Sequence, residues 1–334
     1  MNFWSYQWEK ISHAMEPLAR RLVPSVPILF FHGVVEKIVD PHVQSLHLQR
    51  SHFEKIILFI RANYTPVSLD DLYDATQGQE ELPTNAIILT FDDGYRNNLT
   101  LVEPILSTFN IPFGIYLSTG HISEGSRFPT YIARVALNYT QQTHFLLDEK
   151  GPPLSLVGEE ARKRAYQGVV SQLKTAPQER VRLLVNRLRS LLSEEQWLRL
   201  DERFDSDQPL SWQEVEQLSK RGVIIGSHCH DHALLHTRQS LEEMTAQIER
   251  SKTAIESRLG ACHHFAFPNG RSRDCSPQAM ALLDRFGFHT ATTTTPGVVR
   301  KSSNRLALPR IGVGPRLTQL KEDLHRSFWQ DFPS

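Results

Sequence analysis

The sequence predicts an α/β fold built on a parallel barrel or open sheet, and three observations carry that expectation. Short apolar runs alternate with segments of helical period along most of the 334 residues. Polar motifs fall repeatedly at the carboxyl ends of those runs, where parallel α/β folds gather their ligands. The length suits one barrel, and 40% apolar residues supply a sizeable core.

Residues 1–25 are expected to form an N-terminal helical extension, with Phe3, Trp4, Trp8, Ile11, Met15 and Leu18 on one side of a short helix. Packing on the domain is the expected use of that face, with peripheral membrane contact as the alternative. The segment lacks a basic start followed by a long apolar run, so it does not read as a signal peptide, and a cytoplasmic location is expected. No stretch reaches transmembrane length.

The main domain is expected over residues 26–330. Pro24 and Pro27 break the first helix, and Ile28–Phe31 reads as a buried strand ending at His32 and Gly33. A helix over 50–62 follows, then a capped short helix from Ser68. Ala86–Phe91 is a second buried strand, 97–108 a helix and Phe113–Leu117 a strand. Residues 120–209 carry few strand signals and many helix formers, notably at 159–173 and 178–206, and read as a helical insertion. Strand and helix alternation resumes with a capping box at Ser211–Glu214 and a strand at 222–226. A helix over 239–258, a strand-like run at His264–Pro268, a helix over 276–286 and a strand at Phe288–Thr292 come next. Arg305–Ile311 is the last strand expected, and a polar helix over 317–328 closes the chain.

Charge argues against whole classes of partner. The 37 basic residues balance 37 acidic ones, so no nucleic-acid partner is expected. The three cysteines, Cys229, Cys262 and Cys275, form no CxxC and cannot pair completely, which suits a reducing compartment.

Two motifs carry the chemistry. Thr90-Phe91-Asp92-Asp93-Gly94-Tyr95 ends one strand, and Ser227-His228-Cys229-His230-Asp231-His232 ends a later one. Successive residues at a strand end point to different sides, so one of Asp92 and Asp93 can bind a metal while the other faces a water. His228 and His232 stand four apart and, on a helical turn, would converge on one ion. Two imidazoles and one carboxylate leave coordination positions open, the arrangement of a catalytic metal and not a structural one. Asp-Asp-Gly alone is a common turn; the joint occurrence of both motifs after buried strands gives it meaning. His230 and Asp231 are expected to point elsewhere, with His230 a ligand only if the turn is not helical. Cys229 reads as a small buried thiol before it reads as a soft ligand.

These residues resemble the motifs of the polysaccharide deacetylase family, the NodB-homology group of carbohydrate esterases. Thr90–Gly94 matches its TFDDG, and His228–His232 matches H-[ST]-x-x-H except that Cys229 replaces Ser/Thr. Phe265–Gly270 looks like the FAYPxG form of its third motif, and Leu308-Pro309-Arg310-Ile311 like its C-terminal end. The resemblance covers about residues 26–118 and 209–313. It implies a distorted (β/α)7 TIM-like barrel with a helical insertion, and a metal-dependent N-deacetylase. By that pattern Asp92 is the general base and Asp93, His228 and His232 are metal ligands. The backbone N–H of Tyr95, with Pro268 and Asn269, would meet the substrate or its oxyanion. The implied cofactor is a divalent metal ion, with Zn2+ the first choice.

The chain departs from the pattern twice. Family members carry a base-orienting Arg in the third motif, where Ala266 stands here; Arg310 is the first candidate to replace it, ahead of Arg271 and Arg273. Their late histidine acid has no clean copy, so His32 is the substitute and His289 the next choice. The expected substrate is an N-acylated amino sugar in a polysaccharide or glycan precursor. A metal-dependent amidase or imidase acting on a non-carbohydrate C–N bond, and a non-catalytic carbohydrate-binding homologue, are the alternatives. The insertion either shapes the groove or serves packing or dimerisation.

Overall fold

The computed structural model describes residues 24–148 and 151–330, so nearly all of the extension expected over residues 1–25 lies outside the described residues. The chain enters through β1 (Ile28–Phe31), β2 (Gly33–Val35), β3 (His47–Gln49) and α1 (Arg50–Asn63). Then come β4 (Thr65–Pro66), α2 (Leu69–Thr76), β5 (Ala86–Phe91), α3 (Glu103–Ser107) and β6 (Gly114–Leu117). The stretch after β6 holds α4 (Thr119–Glu124), α5 (Pro129–Tyr139), β7 (His144–Leu146), β8 (Pro153–Ser155), α6 (Glu159–Thr175), α7 (Gln178–Arg189) and α8 (Glu194–Arg203). The remainder runs α9 (Trp212–Lys220), β9 (Ile224–Ser227), α10 (Leu241–Leu259), β10 (His264–Ala266), α11 (Pro277–Arg285), β11 (Thr290–Thr292), β12 (Ile311–Gly312) and α12 (Leu317–Gln330).

Seven strands pair in the order β11-β10-β9-β6-β5-β1-β12, every pair parallel, with β4 added beside β5. This is the parallel barrel-like α/β fold the sequence predicts. Alternation along the strands splits the core in two. Leu29, Phe31, Leu89 and Phe91 join the large cluster packed under α1, α10 and α11. Ile28, Ala86 and Ile88 belong with Tyr116, Ala266 and Leu308 in a second, smaller cluster. Thr90 and Asp92 continue the Ala86–Ile88 parity, which sends Asp92 to the same side of the sheet as this second cluster.

Three local readings are corrected. The strand expected at Arg305–Ile311 forms ladder pairing only at Ile311–Gly312. Leu308 bridges Thr292, and Ile311 pairs with Leu29, so the segment leaves β11 for β1 within three residues. The helix expected over 97–108 opens as a π turn at Asn98–Val102, with the Glu103 N–H bonded to Asn98 O. Pro104 has no N–H to continue an α register there. The β7–β8 hairpin was not expected, since its three-residue strands are largely exposed and carry no periodic signal.

The insertion has its own core. Tyr131, Ile132, Val135, Val169, Leu188 and Leu200 pack together, and Tyr95 from the main domain is part of the same cluster. Among the described residues no helix is long and apolar enough to cross a membrane.

Candidate metal centre and active site

Strand β5 delivers both aspartates, and the backbone then separates them. Asp93 takes φ 75°, which breaks the strand alternation and turns its carboxylate away from that of Asp92. Gly94 follows at φ 80°, and a Cβ there would meet Leu117 Cδ2 at 2.6 Å, so the turn requires glycine. His228 and His232 leave β9 on an irregular loop, with Cys229 at φ 64° and His232 at φ 54°. The helical turn expected for the His pair is therefore corrected: two left-handed residues aim the rings together.

Asp93, His228 and His232 place one ligand atom each within 4.8 Å of one another. Asp93 Oδ1 lies 3.3 Å from His232 Nε2 and 3.6 Å from His228 Nε2. Ligand atoms on a tetrahedral zinc ion stand about 3.4 Å apart, so the three residues fit such an ion. Two further observations agree. Asp93 Oδ1 is buried without a hydrogen-bond partner. His228 Nδ1 is 2.7 Å from Ala266 O, which turns Nε2 toward Asp93 and fixes the ring.

Electrostatics match this arrangement. Burial alone would raise Asp93, but the His232 ring beside its Oδ1, with the charges of His32 and His228, holds it well below the ordinary carboxylate range. Burial pushes His228 down to about 4, so its ring is neutral and free to ligate at neutral pH. His230 is not in this group, because its Nδ1 lies 2.9 Å from Thr119 Oγ1. Cys229 is a buried thiol pushed up by burial, packed in the main core and not a ligand.

Asp92 is held by Arg310 in a bidentate pair, with NH1 to Oδ1 and NH2 to Oδ2 both at 2.8 Å. Arg310 is fully buried; its Nε donates to Thr293 O at 2.9 Å, and its guanidinium lies over the rings of Phe30 and Tyr116. Burial raises Asp92, but Arg310 and His228 more than offset that and keep it ionised below the ordinary range. Arg271 and Arg273 make no such contact: Arg273 is largely exposed and lies 3.9 Å from Asp274.

His32 follows β1 and acts electrostatically on both Asp92 and Asp93, as His228 also does. Burial lowers it, with the two aspartates opposing. His289 is elsewhere, stacked between Tyr73 and His263 just before β11, at the opposite end of the sheet from the metal ligands. Tyr95 is buried, with its phenol pushed well above 10 by burial and by Asp93. Asn269 sits at φ 59° and its side chain is engaged, with Lys174 Nζ donating to Oδ1 at 2.5 Å and Nδ2 donating to Asp274. Pro268 O accepts from Gly270 N at 2.7 Å in the same tight turn.

The insertion borders this region. A cavity of about 110 Å³ flanks His232, lined among others by Phe128, Leu173, Lys174 and Pro177 from the insertion and by Leu234 and Arg238. Lys174, Arg134, His47 and Asp207 were not singled out from the sequence. They stand far from either motif in the chain, and no spacing marks them.

A parallel barrel-like sheet that gathers a metal-competent triad and an Arg-paired carboxylate at its strand ends defines a hydrolytic class of α/β protein. The chain belongs to the polysaccharide deacetylase family, whose model matches residues 79–289. A stretch of 83 residues is 36% identical to the poly-beta-1,6-N-acetyl-D-glucosamine N-deacetylase of Escherichia coli K12. That stretch is 25% of this chain and only 12% of the relative. Solved structures of similar fold include the Streptococcus pyogenes deacetylase PplD in complex with acetate (TM-score 0.59, 15% identity, 92% of this chain and 99% of that one). IcaB from Ammonifex degensii is comparable (TM-score 0.59, 15% identity, 91% and 97%).

Proposed function

We propose that the protein is a metal-dependent N-deacetylase acting on an amino sugar within a polysaccharide or glycan precursor. The observation that carries this reading is the placement of the buried Arg310–Asp92 pair beside the Asp93, His228 and His232 group. Family membership supports the reaction class, and the E. coli relative supports an N-acetylglucosamine polymer as the first substrate to try.

In this reading Asp93, His228 and His232 hold a divalent ion, with Zn2+ the first choice for two imidazoles and one carboxylate. When bound, the ion polarises the amide carbonyl and eases ionisation of water. Asp92, kept ionised and oriented by Arg310, takes a proton from the attacking water. The backbone N–H of Tyr95 donates to the oxygen that becomes negative as the carbonyl carbon turns tetrahedral. The C–N bond then breaks; the amine takes a proton from the neutral His32 ring, and His32 regains one from the protonated Asp92, so the proton drawn from the water ends on the amine. Burial favours the neutral ring of His32, which can donate from one nitrogen while accepting at the other. Pro268 and Asn269 form the rim, with contact to the sugar through backbone groups because the Asn269 side chain is engaged. The alternative of a non-catalytic homologue rested on the missing third-motif Arg, and Arg310, just before β12, makes a bidentate contact with Asp92 that can take its place.

The reading is tested by metal content and by acetate release from a panel of N-acetyl sugars and oligomers. Chelation is expected to remove activity, and one equivalent of Zn2+ to restore it; full turnover in metal-free protein would overturn the metal assignment. His32→Gln is expected to lower kcat about 100-fold with metal affinity kept. A near-normal kcat would remove His32 from the mechanism.

A further inference from the structure

The end of the insertion is stitched along the loop that carries the two aspartates. The Leu210 N–H donates to Gly94 O at 2.9 Å, and the Arg96 N–H donates to Gln208 O at 2.7 Å. These two bonds form the Tyr95–Pro209 bridge, and they flank Tyr95 on both sides without using its own N–H. Asn97 extends the seam: its Nδ2 donates to Ser206 O at 2.8 Å, and its Oδ1 accepts from the Val34 N–H at 3.2 Å.

In the middle of this strap Asp207 turns inward and is fully buried. Its Oδ1 lies 3.1 Å from His47 Nε2 and 3.9 Å from Arg134 NH2, without the alignment of a hydrogen bond. His47 packs edge-on against the Tyr95 ring at 4.9 Å between centroids. The Tyr95 phenol feels the charges of Asp93, Arg134 and Asp207. One buried polar group thus joins β3, the insertion and the Asp93–Tyr95 turn. An ion pair so far from water is costly to build, and its clearest physical benefit is a single fixed arrangement of the chains it joins.

We propose that Asp207 is a positioning residue: through the 204–210 strap and the His47–Tyr95 contact it fixes the direction of the Tyr95 N–H toward the reacting carbonyl. The inference rests on the deacetylase reading, in which that N–H meets the oxyanion. It gives the insertion a role in turnover apart from any contact with the sugar. An oxyanion donor works only when already aimed, so a loosened turn lowers kcat while leaving ground-state binding in place.

The test is Asp207→Asn, which keeps the side-chain volume and removes the charge. Steady-state kinetics of the zinc-loaded protein should show kcat down about tenfold, with KM and zinc affinity within about twofold of the parent. Hydrogen exchange of the 93–98 backbone should speed up about tenfold, with the rest of the barrel unchanged. An unchanged kcat and unchanged exchange would overturn the proposal, as would a kcat loss that tracks a loss of zinc. If Asp207→Asn does not fold, Asn97→Asp removes the donor to Ser206 O and is expected to give the same pattern, and its failure to do so is equally decisive. Absence of acetate release from every sugar by the parent protein would sink the deacetylase reading, while the exchange measurement would still decide whether Asp207 holds the turn.

Discussion

Asp92→Asn is expected to lower kcat by about a thousandfold and to leave the protein loaded with metal. The carboxylate is buried, ionised and held by two 2.8 Å bonds, so an amide of the same shape keeps the space and loses the proposed base. Asp93→Asn is the contrast. Its Oδ1 faces both His228 and His232 Nε2, so its loss should empty the metal site and remove activity with it. Metal content by elemental analysis, measured beside acetate release, separates the two roles. Turnover within tenfold of the parent in Asp92→Asn, or full metal loading in Asp93→Asn, would overturn the assignment.

Arg310→Gln is expected to damage both stability and chemistry. It leaves Asp92 buried without its charge partner, at a cost of about 3–5 kcal/mol in urea unfolding. The sign of the pH effect follows from the depressed Asp92. A depressed carboxylate contributes stability above its unfolded value, about 3.9, and that contribution fades as pH falls through the lower folded value. Removing Arg310 raises the folded value, so acid unfolding begins at higher pH. The acid limb of kcat/KM moves upward in pH for the same reason, because the base is the ionised form. An unmoved acid limb in a folded Arg310→Gln protein would mean that Asp92 is not the titrating base.

Much of the site was legible because it lies at the ends of buried strands. Thr90–Gly94 and His228–His232 stand beside apolar runs that could hardly be anything but core strands, and the strands carry them to one end of the sheet. Arg310 was a candidate from its place in the Leu308–Ile311 run, and the path of that segment explains why it reaches Asp92 where Arg271 and Arg273 do not. Leu308 and Ile311 bond to different strands, and the crossing between them drives Arg310 into the interior. His289 shows the converse, since its place before β11 puts it at the wrong end of the sheet. The expected helical turn for the His pair failed because spacing of four says nothing about φ; two left-handed residues reach the same convergence by another route.

The sequence by itself determined the parallel α/β class and pointed to the two aspartates, the two histidines and a helix-rich stretch after Leu117, because periodicity and short motifs are local properties of the chain. Only the tertiary structure decided which arginine meets Asp92, which strand carbonyl orients His228, and what the insertion touches. Those contacts join residues far apart in the chain, such as Arg310 to Asp92 and Asp207 to His47. Burial gives them their strength, and no short stretch of sequence records burial between distant segments.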